Sequence, residues 1–360
     1  MEEEKKLYPL KFCALQDDYP WGSETFQLAD LGYRDSLVRE GWLAGNSIAE
    51  VMDTYLDRVV GDAAYAFYGR QFPLCVRQLH VRGRMPLRVH PDDEIAAQRY
   101  DFLGKEKLWY VLRAGKDARL MVGFRADTDA SSFYGKCLDG SVEELLGVIA
   151  PHAGQCLLIP PGTPHAAAGD LDILEIAESS PMDFCLCDWG EELHPDEFDP
   201  ALTLVDALDF IGYKRFGADS PVKPANDGRR MPANDGKGMP ATDGGPANGA
   251  VLADLPQLHV EKLPLHAPLA LSHDATAMFL LYTCVRGAAS VQLPLPGGQH
   301  LDFPLRSGET MLVPAECAEF HLVPLERDTL LLESSVRPKE TDSYINPDAE
   351  PVLEDEEESS

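Results

Sequence analysis

Residues 88–110 read RVHPDDEIAAQRYDFLGKEKLWY, and the way that stretch divides decides the fold. It opens in an apolar alternating run, Leu87, Arg88, Val89, His90. Side chains alternate along a strand, so Arg88 and His90 point the same way. Pro91, Asp92 and Asp93 start a short helix through Tyr100, with the aspartates where the helix dipole favours negative charge. Residues 107–111 form the next strand. Lys105, Lys107 and Trp109 share one face, and Glu106, Leu108 and Tyr110 the other. Further on, residues 154–160 are a buried strand, and Pro161, Gly162, Thr163 and Pro164 turn the chain into a second histidine, His165. Two histidines on neighbouring strands of a small β-barrel are the skeleton of a metal site.

Outward from that stretch the chain reads as mostly β with helical insertions. Residues 1–45 are strand-like pieces broken at Pro20, Trp21 and Gly22. Ser47 caps a helix expected to run through Val60, with Glu50 at the capping-box spacing. Residues 72–81 are a strand; His80 within it reads as a half-buried strand histidine. Residues 120–124, 171–176 and 184–188 continue the sheet. Residues 127–149 look helical, with Val142, Leu145, Leu146 and Ile149 at helical spacing. Residues 203–211 are helical and join two β units. Residues 217–250 repeat Pro-Ala-Asn-Asp-Gly and a Thr variant at Pro224, Pro232 and Pro240. Gly, Pro, Asn and Asp cannot bury a core, so this stretch is expected to be a disordered loop or linker. From Val251 strands resume, at 278–285, 286–293, 305–314 and 329–335. His300 and His321 lie there with nothing at ligand spacing, so this second β unit is expected to be structural. The acidic run from Glu354 reads as a solvated tail.

Composition narrows the function. A chain of 360 residues suits two or three domains. A net charge of −29 argues against a nucleic-acid partner, which needs a basic face. No stretch reaches the length of a membrane span and the start lacks a signal-peptide core, so a cytoplasmic protein without a membrane partner is expected. The eight cysteines are scattered with no repeated C-x-x-C, which indicates neither a zinc ribbon nor a disulfide scaffold.

Residues 68–189 resemble the class I mannose-6-phosphate isomerases, particularly the short bacterial form. Residues 68–74, YGRQFPL, look like the family's Y-G-x-x-F-P-L. Residues 89–94, VHPDDE, match V-H-P-[DN]-D-E. Gly104, Lys105, Trp109 and Tyr110 match the ends of G-K-T-E-x-W-Y. Residues 159–166, IPPGTPHA, look like I-P-A-G-x-V-H-A, and Asp188 with Trp189 ends a segment similar to Y-R-x-Y-D-W. The resemblance implies two cupin-type (jelly-roll) barrels joined by a small α-helical element. It implies residues 1–190 as the N-terminal cupin with the active-site pocket, 191–216 as the helical connection and 251–336 as a metal-free cupin. Residues 217–250 and 337–360 fall outside it. The implied reaction is the interconversion of mannose 6-phosphate and fructose 6-phosphate. The implied cofactor is one zinc ion held by the Gln and His of Q-V-H, the Glu of G-K-T-E and the His of V-H-A, with the Arg of Y-R-x-Y-D in the pocket.

This chain departs from that pattern where the metal would bind. Gln is replaced by Arg88, Glu by Lys107 and the pocket Arg by Cys185; His90 and His165 remain, with Lys105 as the family's pocket lysine. Arginine cannot deprotonate at working pH and so cannot be a ligand. At about 4 Å and an effective dielectric of about 20, a single positive charge beside a dication costs on the order of 8 kcal/mol before screening. Zinc binding by the two histidines is expected to be weak or absent. Two routes would restore a set. A bulge would have to turn Glu106 inward, or Cys185 would have to join the histidines as a thiolate.

Two functions stay open at this level. One is an aldose–ketose isomerase with altered metal chemistry. The other is an inactive double cupin that binds a sugar phosphate or other small anion through Arg88, Lys105 and Lys107.

Overall fold

The computed structural model describes residues 5–190, 203–217, 249–272 and 278–338. The repeat-bearing segment from 218 to 248, the tail from 339 and residues 191–202 of the connection lie outside the described residues, so the expectations for them are not addressed further.

The N-terminal unit is two facing antiparallel sheets. A hairpin turning at Pro20 and Trp21 joins β1 (Leu15–Tyr19) to β2 (Gly22–Leu28). Three short helices follow, α1 (Ile48–Tyr55), α2 (Asp57–Val60) and α3 (Asp62–Tyr68). The Ser47–Glu50 capping box is formed, but the helix expected to reach Val60 breaks at Leu56, whose φ is 48°. Then come β3 (Leu74–Val81), β4 (Leu87–Val89), α4 (Asp93–Tyr100), β5 (Lys107–Ala114), β6 (Arg119–Phe124), α5 (Ala130–Leu138), β7 (Leu146–Ile149), β8 (Cys156–Ile159), β9 (His165–Ala168), β10 (Leu171–Glu178) and β11 (Phe184–Cys187). One sheet has the order β1-β2-β3-β10-β5-β8 and the other β11-β4-β9-β6-β7. A short helix, α6 (Leu204–Ala207), packs near β11.

Strand alternation sorts the side chains into three layers. Leu74, Val76, Leu108, Tyr110, Leu174 and Ile176 leave the first sheet on its outer side and pack with α1–α3. Leu87, Val89, Ala166, Ala168, Phe184 and Leu186 leave the second sheet under α5 and α6. Between the sheets, Leu79, Val81, Trp109, Val111, Leu120, Val122 and Ile173 form the interior core. The next inward positions are not apolar. On β3, β4, β5, β9 and β10 they are Arg77, Arg88, Lys107, His165 and Glu175, all buried. The interior is therefore apolar at one end and charged at the other.

The second unit repeats the plan. Its strands are β12 (Ala250–Asp254), β13 (His259–Leu265), β14 (Leu269–Ser272), β15 (Leu280–Arg286), β16 (Ala288–Pro294), β17 (His300–Arg306), β18 (Thr310–Val313), β19 (Glu319–Pro324) and β20 (Thr329–Ser335). They form sheets ordered β12-β13-β20-β15-β18 and β14-β19-β16-β17. Its interior is apolar, with Leu263, Tyr282, Val291, Met311, Phe320 and Leu331. The two units share a core: Leu10, Phe12 and Phe72 cluster with Val260, Phe279 and Leu312.

Besides the helix that breaks at Leu56, three elements differ from the sequence reading; the first is the helix expected over 203–211, which is only α6, Leu204–Ala207. Residues 127–149 hold α5, a 3-10 turn (Val142–Leu145) and β7 rather than one helix. Gly140 at φ 77° ends the helical path, and β7 pairs with β6, so tertiary pairing outweighs the helical spacing. Residues 305–314 are two strands separated at Gly308, where φ is 86°.

Candidate functional site

Seven strands and the residues at their ends deliver one buried cluster of charge. Arg88 comes from β4 and His90 from just beyond it, Lys107 from the start of β5 and Lys105 from two residues before it, His165 from the start of β9, and Glu175 from β10. Asp183 sits immediately before β11, and Glu24 and Arg77 come from β2 and β3. The register explains the meeting. Arg88 lies opposite both His165 and Cys185, while Glu175 lies opposite both Arg77 and Trp109.

The ammonium of Lys107 is at the centre and is completely buried. It donates to Nε2 of His165 at 3.2 Å and to Oδ1 of Asp183 at 3.1 Å. Oε2 of Glu175 is 3.5 Å away. Lys105 donates to Oδ2 of Asp183 at 3.1 Å and to the Ser180 carbonyl at 2.7 Å. Arg77 reaches Glu175 at 2.6 Å and Glu24 at 2.7 Å, and the other oxygen of Glu24 accepts from Arg88 at 2.8 Å. The seven side chains thus form an alternating series: Arg88, Glu24, Arg77, Glu175, Lys107, Asp183, Lys105. Among the described residues the cluster has four cations and three carboxylates. Buried charges persist only when paired in this way.

The histidines are neutral. Nδ1 of His165 faces the Thr163 carbonyl at 2.9 Å, which places the proton on Nδ1 and the lone pair on Nε2, towards Lys107. Burial, then the Lys107 ammonium, drives the His165 pKa down to about 3. His90 is pushed well below its ordinary 6.5 by burial, then by Lys107 and His165. Its Nε2 faces the Ile159 carbonyl at 3.2 Å, and Nδ1 has no hydrogen-bond partner among the described residues. Burial alone would raise Asp183, but Lys105, Lys107 and Arg77 outweigh it and hold the carboxyl well below its ordinary range. Glu175 is held at about 2, its burial outweighed by Arg77 and Lys107. Burial lowers Lys105 from its usual value, against the pull of Asp183.

Asp183 was not singled out by sequence reasoning. Its signal was available: it stands two residues before Cys185, the position of the family's pocket arginine, and so on the same strand face. Glu24, Arg77 and Glu175 were also missed. Arg77 is the one charge inside the apolar run of β3, and that alone marks it as buried and paired. Glu106 does not turn inward. Its backbone N–H donates to Glu178, and its carboxyl rises to about 7 through burial and the nearby Asp93. Among the described residues, His90, His165 and Asp183 are the only group of three whose ligand atoms lie within 4.8 Å of one another; Cys185 does not complete it. His80 lies outside the site and pairs with Asp172 at 3.1 Å.

No family model matches the chain. Sequence comparison finds bacterial relatives. The chain is 29% identical over 168 residues to a Bacillus subtilis protein named as a probable mannose-6-phosphate isomerase, covering 46% of this chain and 51% of that one. It is 26% identical over 203 residues to a second Bacillus subtilis mannose-6-phosphate isomerase, covering 51% of this chain and 62% of that one. The chain is a relative of the mannose-6-phosphate isomerases. Those matches span only about half of each protein's length. The crystal structure of the Bacillus subtilis mannose-6-phosphate isomerase has the same fold, with a TM-score of 0.70 at 18% identity, covering 92% of this chain and all of the other. The double-cupin architecture expected from the mannose-6-phosphate isomerases is therefore the one this chain adopts. No helix among the described residues is long and apolar enough to cross a membrane.

Zinc, the ion implied by that kinship, does not fit the donor set present. Two of the three candidate ligands, His165 and Asp183, already accept hydrogen bonds from the Lys107 ammonium. The third, His90, has Nε2 against the Ile159 carbonyl and Nδ1 without a hydrogen-bond partner among the described residues. Lys105 and Arg77 add positive charge on the same carboxylate. A dication there would have to displace one cation and tolerate the others, each at a cost of several kcal/mol or more, on the order of 8 for a direct neighbour.

Proposed function

We propose that the chain is a double cupin that binds a phosphorylated sugar or a similar small anion, and does not run the metal-assisted isomerisation for which its relatives are named. One observation carries this reading: the Lys107 ammonium takes the point where His165, Asp183 and Glu175 converge. Moving a proton between two sugar carbons needs an electrophile at the sugar oxygens and a base matched to the proton it takes. Lys107 is committed to three partners. Glu175 and Asp183 are held ionised by their cations, which makes them weak bases. What the cluster does offer is two buried ammonium groups, Lys105 and Lys107, that share the carboxylate of Asp183. An anion is drawn to such a pair. The Asp183 side chain is 15% exposed, the most of the seven, so a phosphoryl group arriving there would meet Lys105 and Lys107.

The test is thermal unfolding with mannose 6-phosphate in excess chelator. The expected result is a raised melting temperature without turnover, and several-fold tighter binding in Asp183→Asn, where the carboxylate between Lys105 and Lys107 loses its charge. Absence of stabilisation by phosphosugars, or turnover to fructose 6-phosphate, would refute the reading.

A second reading, an isomerase loaded with metal, is favoured by one observation: the ligand atoms of His90, His165 and Asp183 lie within reach of one ion. It expects one zinc per chain and conversion of mannose 6-phosphate.

A further inference from the structure

The disagreement between this site and a zinc ion has a specific form, and it rests on the reading that the native site is metal-free. We propose that Lys107 is a covalently tethered replacement for the metal ion, a resident monocation seated among His165, Asp183 and Glu175.

Three observations carry this. The ammonium sits at 3.1–3.5 Å from an imidazole nitrogen and two carboxylate oxygens, the distances of ammonium hydrogen bonds rather than of zinc bonds near 2 Å. The His165 tautomer, fixed by the Thr163 carbonyl, turns the lone pair that a metal would use towards Nζ. Two carboxylates face this point, Glu175 from β10 of the same sheet and Asp183 from just before β11 of the other, so the position that carries Glu in the family pattern is here a cation held by anions from two other strands. Asp183 has partners in both lysines and in Arg77.

Charge arithmetic turns this into a prediction. Among the described residues the alternating series holds four cations and three carboxylates. Replacing Arg88 by Gln and Lys107 by Glu removes two cations and adds one carboxylate. The two substitutions lower the charge of the site by three units, which favours a divalent cation. His90, His165 and Asp183 then stand clear of the ammonium.

The probe is cobalt(II), read by its visible absorption band and by thermal unfolding. The native protein is expected to show no band and no shift. The double variant Arg88→Gln, Lys107→Glu is expected to bind one cobalt per chain and to melt at least about 10 °C higher with the metal than without it. Lys107→Met, which keeps bulk but not charge, is expected to melt lower than the native protein and to gain nothing from cobalt. If the double variant folds only in the presence of cobalt, that also supports the proposal. A double variant that folds equally well with and without cobalt and shows no band would overturn it, as would one that fails to fold in either condition. Cobalt uptake by the native protein would instead refute the metal-free reading beneath it.

Discussion

Lys107 places its ammonium 3.2 Å from Nε2 of His165, the nitrogen left with a lone pair by the Thr163 carbonyl. A histidine kept at the end of a β strand, in the orientation that suits a metal, is satisfied here by a lysine of the same chain. The site is thus closed by the sequence itself, and the surrounding carboxylates have a cation to neutralise without any ion from outside.

The Glu24 carboxylate bridges Arg77 and Arg88, at 2.7 and 2.8 Å. Glu24→Gln leaves two buried guanidinium groups facing an amide. The expected cost is about 3 kcal/mol, read as a lower urea midpoint at unchanged slope. Asp170→Ala, in the exposed Arg113 and Arg82 pairs, is the control and should leave the midpoint unmoved.

Glu106 predicts a pH dependence. Burial, with Asp93 nearby, raises its carboxyl to about 7 from an ordinary 4.5, and Oε2 is buried without a partner among the described residues. The folded state therefore holds this proton more tightly than the unfolded chain. The stability this contributes is fully present below about pH 4.5 and lost as the pH rises through 7. Glu106→Gln removes that loss, so between pH 5 and 8 the variant should gain about 2 kcal/mol on the native protein. Parallel stability profiles for the two proteins would contradict the assignment.

Much of this was legible before any coordinates. Alternation alone put Arg88 with His90 and Lys105 with Lys107 and Trp109, and the family pattern marked those positions as the site. The Ser47 capping box formed as read, and Asp92 and Asp93 stand at the N-terminus of α4 as read. The partners were less legible because they come from strands distant in sequence: Glu24 is 64 residues from Arg88 and Glu175 is 98 from Arg77. A charge in a strand does not say which strand will face it. The arginine and lysine substitutions suggested a bare cationic pocket, but burial demands partners, and Glu24, Glu175 and Asp183 supply them. The β7 segment was misread for a related reason, since Val142, Leu145, Leu146 and Ile149 suit a helix until β6 is present to pair with.

Gly104 leads the chain into the two site lysines, and a Cβ built on it would lie 2.3 Å from the Asp92 carbonyl carbon and 2.5 Å from the Asp93 nitrogen. These are backbone atoms of the N-terminus of α4 and cannot yield cheaply. Gly104→Ala should cost about 3 kcal/mol in chemical denaturation. Gly135→Ala, in α5 with open space around it, should instead stabilise by about 0.5–1 kcal/mol.

The zinc content of the native protein, measured by elemental analysis after equilibration with zinc and removal of the free ion, tests the central claim most directly. An ammonium already seated among His165, Asp183 and Glu175 predicts that essentially no zinc is retained. One zinc bound per chain would contradict it.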